Sequence, residues 1–561
     1  MPTLSMLNSP SFIRSRLPQL ILIAITLVTF LPCTFNHFTT WDDNDTIARN
    51  PDLNPTITLT SFSHFWTHPQ ADLYIPVTYS TWALIAPLAR RPDLTLSAAP
   101  YHALNLFLHL LNTLLVYRLL HKLTGKSWSS FFAAALFALH PVQAEPIAWT
   151  SGTKDLLSAT FALLALLNYF RSTPSSILYP LSSSFLFLLS LLSKPSTLPL
   201  PFVALTISTL LLHRPFRATL ISLLPWFIIS IPILLIGRLS QPAHALSYIP
   251  PLAFRPFIAA DAIGFYLQHL AFPLHLCIDY GRSPLHILSS PTTLYTISTT
   301  LLFFACIFFL RQFRPALAAA IIFLLFLLPT LGFLPFDFQQ YSTTADHYLY
   351  LSLLAPALLL AYIFPSYTIL YPLSSILLLF SLRSFTQSQT WHDSPTLFSH
   401  TLAINPRSIA AHTNLAIALA NANDLTQSAA EFRASLRLNF ADPKPHLGLG
   451  QVLARLHQPD LAQAHLRLSI HLDPSNPLTY YNLALLLSSL NQPDQARAEY
   501  ERTLKLDPTF AEAHTNLATL LLSQGQLDAA EQHYRTALSL RPDLTLPRRG
   551  LQAIEQARHS Q

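Results

Sequence analysis

Long apolar runs dominate the first 390 residues, and each approaches the roughly 20 residues that an α-helix needs to cross a bilayer. The first covers residues 17–34, behind Arg14 and Arg16; further runs lie near 103–121, 128–144, 156–171, 176–193, 198–213, 218–237, 292–310, 316–335, 348–364 and 367–384. No small-x-small cleavage site follows the first run, so it reads as an uncleaved helix with its N-terminus inside. The pattern predicts about eleven spans in a polytopic all-α membrane domain over residues 1–390. Arg118, Lys122 and Lys126, then Arg171, then Arg214 and Arg217 fall at successive predicted inner ends, as the excess of cations in inner loops requires. Residues 257–277 are long enough to cross but carry Asp261, Gln268, His269 and His275, an expensive set to show to lipid. We read this stretch as re-entrant or interfacial, which places Arg311 and Arg314 inside and the chain after residue 384 outside. Counting it as a span reverses both.

From residue 391 the period changes to 34. Leu415, Leu449, Leu483, Leu517 and Leu551 keep it, as do Phe432, Leu466, Tyr500 and Tyr534, and Pro474, Pro508 and Pro542. Ala462, Ala496 and Ala530 stand four residues before the large side chain of each second helix, where two helices approach closely. This is the tetratricopeptide pattern, an α-solenoid over residues 391–561 whose units bury their apolar faces only by stacking. Such an array binds a protein or peptide partner in its groove.

Composition supports the division. Charged residues are 11% of the chain, against about 25% in soluble domains. Residues 1–390 hold 19 Lys/Arg and 12 Asp/Glu, and residues 391–561 hold 14 and 15. The net charge of +6 is spread thinly, with none of the basic clustering that nucleic acid demands, so no nucleic-acid partner is expected. Cys33, Cys277 and Cys306 suggest neither a disulfide framework nor a thiolate metal site.

The acids are placed unevenly. None of those before residue 390 falls in a predicted inner loop; Asp42, Asp43, Asp45, Glu145, Asp155, Asp279, Asp337 and Asp346 all map outside. Just beyond the first span stands Trp41-Asp42-Asp43-Asn44-Asp45. Neighbouring carboxylates at a water–lipid boundary repel, and partial burial raises at least one pKa, which prepares a general base or a metal site. The plainer reading is a helix cap for a helix running from Thr46. His102, Asn105, His109 and Asn112 share one face of the second apolar helix, which therefore turns to a cavity or to another helix. Lys154, Lys194 and Arg238 put cations on the outer face, where a lipid-linked phosphate needs neutralisation.

Together these segments resemble the transmembrane and tetratricopeptide-repeat O-mannosyltransferases and their bacterial relatives, in the glycosyltransferase C superfamily. The resemblance rests on Trp41-Asp42-Asp43 with Asn50-Pro51, Tyr101-His102-x-x-Asn105 to His109-x-x-Asn112, and His140-Pro141-Val142 to Glu145 with Lys154-Asp155-Leu156-Leu157. It continues through Leu192-Ser193-Lys194-Pro195, Asp279-Tyr280-Gly281 and Ala345-Asp346-His347-Tyr348-Leu349-Tyr350. Position 347 is His where the pattern more often has Arg, and Thr153-Lys154 replaces Arg with a small residue. The resemblance implies transfer of a sugar, mannose above all, from a polyprenyl-phosphate carrier to a hydroxyl acceptor such as protein Ser or Thr, on the outer face. It implies Asp42 or Asp43 as base, Lys154, Lys194 and Arg238 beside the phosphate, Glu145 and His102 as orienting groups, and His347 at the donor. One displacement inverts the anomeric centre. Superfamily relatives differ on metals, so a divalent ion between Asp43 and Asp45 stays open. The repeats are then periplasmic on a bacterial inner membrane, or luminal on an endoplasmic-reticulum membrane. Two rival readings are a non-catalytic membrane-anchored repeat scaffold, which leaves eleven spans and the outer acids idle, and a transporter, which needs polar groups in the inner half of the bilayer as well.

Overall fold

The computed structural model describes residues 10–54, 57–70, 73–171, 178–240, 248–334, 336–364 and 370–559. Among them the chain is all-α, broken only by short turns and two isolated β-bridges, Gln70 with Leu73 and Arg90 with Leu96. It divides into two units, Met1–Ser408 and Ile409–Gln561. The predicted spans at 176–193 and 367–384 begin outside the described residues.

In the first unit, among the described residues, three helices are long and apolar enough to cross a membrane: Arg16–Phe35, Ala99–Thr124 and Thr293–Leu310. Two bent pairs, Ser127–Leu139 with Pro141–Ala148 and Phe216–Ser222 with Leu224–Ser240, raise the number to five if each is one span. Other predicted runs fold as shorter apolar helices, at Leu181–Ser193, Pro195–Leu211, Arg314–Thr330 and Leu354–Ile363. Proline is the physical reason for one of these breaks: Pro195, Pro199 and Pro201 crowd the start of Pro195–Leu211, where fixed rings and missing donors bar a continuous helix from Leu181–Ser193. Helix Thr293–Leu310 shows which solvent the unit is built for. Its buried positions are Thr293, Thr296 and Thr300, while Leu301, Phe308 and Phe309 are exposed. Polar inside and apolar outside suits lipid, not water.

Residues 257–277 begin as helix Arg255–Ala271, of 17 residues. Asp261 does not face lipid. It is fully buried and accepts a bidentate pair from Arg282, with Nε to Oδ2 at 3.0 Å, and a hydrogen bond from the Thr296 hydroxyl. Gly264 lets the two helices meet: a Cβ there would lie 1.8 Å from the Thr296 carbonyl oxygen.

The second unit stacks helix pairs from Ile409–Asn421 with Leu425–Leu438 to Ala511–Ser523 with Leu527–Leu540, followed by Thr545–His559. The period-34 positions are its core: Leu449, Leu483 and Leu517 are buried, as are Phe432, Leu466, Tyr500 and Tyr534. Ala462, Ala496 and Ala530 are fully buried where the paired helices approach. Gly550 lets the final helix Thr545–His559 approach the preceding one, because a Cβ there would come within 2.3 Å of the Tyr534 ring.

Gly264→Ala should force helices Arg255–Ala271 and Thr293–Leu310 apart at a backbone contact and cost about 1–3 kcal/mol by overpacking. Thermal unfolding of the detergent-solubilised chain measures it. An unshifted melting temperature would contradict the close approach.

Candidate active site

The site is assembled on one short loop, residues 149–154, that is gripped from two sides. From one side comes Asp43. Its side chain is fully buried, with Oδ2 accepting from the Thr39 amide and hydroxyl at 2.9 Å each, and Oδ1 accepting from the Ser151 amide at 3.0 Å and hydroxyl at 2.8 Å. Burial pushes this carboxyl up, and hydrogen bonds from Thr39 and Ser151 oppose the shift. From the other side comes the polar stripe of helix Ala99–Thr124. Asn105 Nδ2 donates to the Trp149 carbonyl at 2.8 Å, and Asn105 Oδ1 accepts from the Thr153 hydroxyl at 2.6 Å. Asn112 does the same two turns on, donating to the Leu156 carbonyl and to the Tyr350 hydroxyl and accepting from Thr160. His109 bridges the Tyr350 hydroxyl and the Ala138 carbonyl. The stripe thus faces neighbouring helices, and each amide uses both its donor and acceptor ends, as burial requires.

Asp42 behaves differently from its neighbour. Its side chain is 38% exposed, it caps no helix end, and its Oδ2 lies 3.5 Å from Lys154 Nζ. Lys154 also sits 4.4 Å over the Trp149 ring, a cation–π contact worth about 0.5–2 kcal/mol. The same indole contacts the His347 ring at 5.5 Å. His347 Nδ1 lies 2.7 Å from Glu145 Oε1, whose Oε2 accepts from the Asp346 amide at 3.2 Å. Lys194 Nζ meets Asp155 Oδ1 at 2.6 Å. Asp155, His347 and Tyr348 border one cleft together with Ser158, Ser196 and Thr197. Asp42, Lys154, His347 and Glu145 therefore form a linked set around Trp149, which Lys194 joins through Asp155, the neighbour of Lys154.

Two expected residues lie elsewhere. His102 is buried behind the loop, with Nε2 3.3 Å from the Thr150 hydroxyl, so it touches the site through the loop. Arg238 is exposed near the end of helix Leu224–Ser240 and, among the described residues, pairs with none of these acids. The residues near Asp43 do not fit a divalent ion. Both Asp43 oxygens are taken by four donors, Asp45 is exposed, and among the described residues no three His, Cys, Asp or Glu side chains converge. Asp155 and Asp346 belong to the set but were missing from the expected site. Their signal was adjacency, each beside a residue already singled out. Ser151 and Thr39 carried none, since a hydroxyl that orients a carboxylate looks like any loop serine or threonine.

Comparison with known proteins gives this arrangement a context. A protein O-mannosyl-transferase of Caenorhabditis elegans is 27% identical over 436 residues, covering 73% of this chain and 61% of its own length. The relatives that this chain matches bear the name protein O-mannosyl-transferase. A human protein of that name is 32% identical over 139 residues, which are 24% of this chain and 14% of the human one. The chain thus spans about three-fifths of the worm relative and a small part of the human one. The family described as Tetratricopeptide repeat matches residues 405–477 and 481–544, so the C-terminal region carries these repeats. A solved structure of a thermophilic tetratricopeptide-repeat protein of Thermus thermophilus is 23% identical, covering 33% of this chain and 98% of that one, with a TM-score of 0.26.

Asp43→Asn must turn an amide NH₂ toward donors on Thr39 or Ser151, and should lower stability by about 1–3 kcal/mol through groups left unpaired. Thermal unfolding in detergent reads the loss. Wild-type stability in this variant would show that the clamp on residue 151 is not needed.

Proposed function

We propose that the chain is a multi-pass membrane glycosyltransferase that moves a sugar, mannose on the strength of its relatives, from a polyprenyl-phosphate carrier to a hydroxyl of a protein acceptor on the outer face. The observation that carries this reading is the open Asp42 carboxylate beside Lys154 at 3.5 Å, an arrangement with a base and a phosphate-binding cation side by side. Asp42, and not Asp43, is the base: it is the one of the pair that a substrate can reach. About eleven crossings, with the short and bent apolar helices counted among them, provide the bilayer frame, and residues 391–561 form the repeat domain that holds the acceptor or a partner protein.

The chemistry follows from the donor. A sugar phosphodiester already has a good leaving group, so the protein need not protonate it strongly; it must deprotonate the attacking hydroxyl and neutralise the departing phosphate. Asp42 takes the acceptor proton as the hydroxyl oxygen bonds to the anomeric carbon, and the carbon–oxygen bond to phosphate breaks. The lipid phosphate leaves with the bonding pair, toward Lys154 and Lys194. One displacement inverts the anomeric centre. Glu145 orients His347 through the 2.7 Å contact, and His102 steadies the loop from behind through Thr150.

Asp42→Asn should keep wild-type stability, because the side chain is partly exposed and holds one ion pair, and should lower transfer from prenyl-phosphate-linked mannose about 10²–10⁴-fold. Radiolabel transfer in membranes measures it. Undiminished transfer would remove Asp42 as the base.

A further inference from the structure

The set around His347 carries no surplus positive charge. Lys154 already faces Asp42, and Lys194 already faces Asp155. Of the remaining acids, Glu145 holds His347 and Asp346 accepts the Tyr280 hydroxyl at 2.7 Å. The charged and titratable groups come from every element packed there. Helix Thr153–Arg171 supplies Lys154 and Asp155, the turn after helix Leu178–Ser193 supplies Lys194, and helix Ala144–Ala148 supplies Glu145. The turn Asp346–Leu349 supplies Asp346, His347 and Tyr348, the loop after helix Arg255–Ala271 supplies Tyr280, and helix Leu370–Gln389 supplies Arg383, which acts on Asp346 at a distance. Tyr266 adds a buried phenol whose hydroxyl accepts from the Ala345 amide. Asp42 and Asp155 thus match the two lysines one for one, burial pushes the Glu145 and Asp346 carboxyls up and Lys194 down, and Asp42 must stay ionised to act as base. A phosphate anion added to this set would be a buried charge without a partner, which is costly. A proton arriving with it removes the deficit.

His347 is placed to take that proton. Nδ1 is committed to Glu145, while Nε2 has no protein partner among the described residues and the ring borders the cleft. Burial first, and then the Lys194 and Lys154 charges, hold this imidazole well below its ordinary range. An anion lying between those two ammonium groups cancels their repulsion of an imidazolium. Asp346 is a rival acceptor, since burial pushes it up to about 7 against the Tyr280 hydroxyl and Arg383.

We propose that His347 takes up a proton as the donor phosphate enters beside Lys154 and Lys194, so that donor binding and protonation are one coupled event. This rests on the donor reading above. Its consequence is that donor affinity falls as pH rises, because the bound state holds more protons than the free state.

The test is calorimetric titration of the full-length, detergent-solubilised chain with a short-chain prenyl phosphomannose. That probe is a phosphodiester, so its own charge stays fixed over the range. Repeating the titration near pH 7.5 in buffers of different ionisation enthalpy counts protons. The expected result is uptake of about one proton per molecule bound, with affinity falling up to about tenfold per pH unit toward the alkaline side. His347→Arg, permanently charged, should bind with uptake near zero and a flat pH profile. His347→Gln, neutral and still able to bond Glu145, should bind more weakly and also without uptake. Absence of binding at every pH would overturn the donor reading itself. Binding without uptake in the wild type, or full uptake in both variants, would overturn the role of His347 and leave the donor reading intact. Loss of uptake only in Asp346→Asn would move the proton to Asp346 and likewise refute the proposal.

Discussion

The first unit turns on one buried carboxylate. Asp43 accepts four hydrogen bonds, two from Thr39 on its own segment and two from Ser151 more than a hundred residues away. A charge without water is tolerated only when its lone pairs are used this fully. That requirement ties the stretch of chain leaving the first membrane helix to the loop ahead of helix Thr153–Arg171. The Asp42–Lys154 pair hangs on that tie: Trp149 and Lys154 stand at the two ends of the gripped loop, and Asp42 is held one residue from the clamp.

Two adjacent acids of the same type therefore do different work, and the difference comes from environment. Asp43 is enclosed and saturated, so it has no lone pair for a substrate or a metal. Asp42 keeps a single long ion pair and a partly open side chain. The second grip, from Asn105 and Asn112, is made of neutral amides, which satisfy buried backbone carbonyls at a lower desolvation cost than charges would. The outcome is a rigid inner layer of carboxylate and amide contacts under an outer layer of Asp42, Lys154, Lys194 and His347.

The sequence carried the fold unevenly. The 34-residue period reads directly, because Leu449, Leu483, Leu517 and their aromatic partners must recur for neighbouring units to stack. The apolar runs read as membrane segments for equally direct reasons, yet run length overstates helix length where Pro195, Pro199 and Pro201 interrupt the backbone ladder. Polar residues in the bilayer zone were legible as facing inward but not as to what they face. Asn105 and Asn112 meet carbonyls brought near by folding, and Asp261 meets Arg282, twenty-one residues on. For the candidate site, the acidic motif and the outer lysines stood out by position. Which aspartate is open and which is closed was illegible, since that depends on Ser151, whose type and place carry no chemical signal of their own. Arg238 shows the converse: a cation at the right end of a helix in sequence, and, among the described residues, no partner in the set.

We propose that a lipid-linked sugar phosphate binds beside Asp42, Lys154 and Lys194. The most direct measurement is an experimental structure of the chain in a lipid bilayer with a polyprenyl phosphomannose bound. The phosphate should lie within ion-pair reach of the Lys154 and Lys194 amines, with the anomeric carbon turned toward Asp42. A phosphate held elsewhere, or an Asp42 side chain directed away from the sugar, would contradict it.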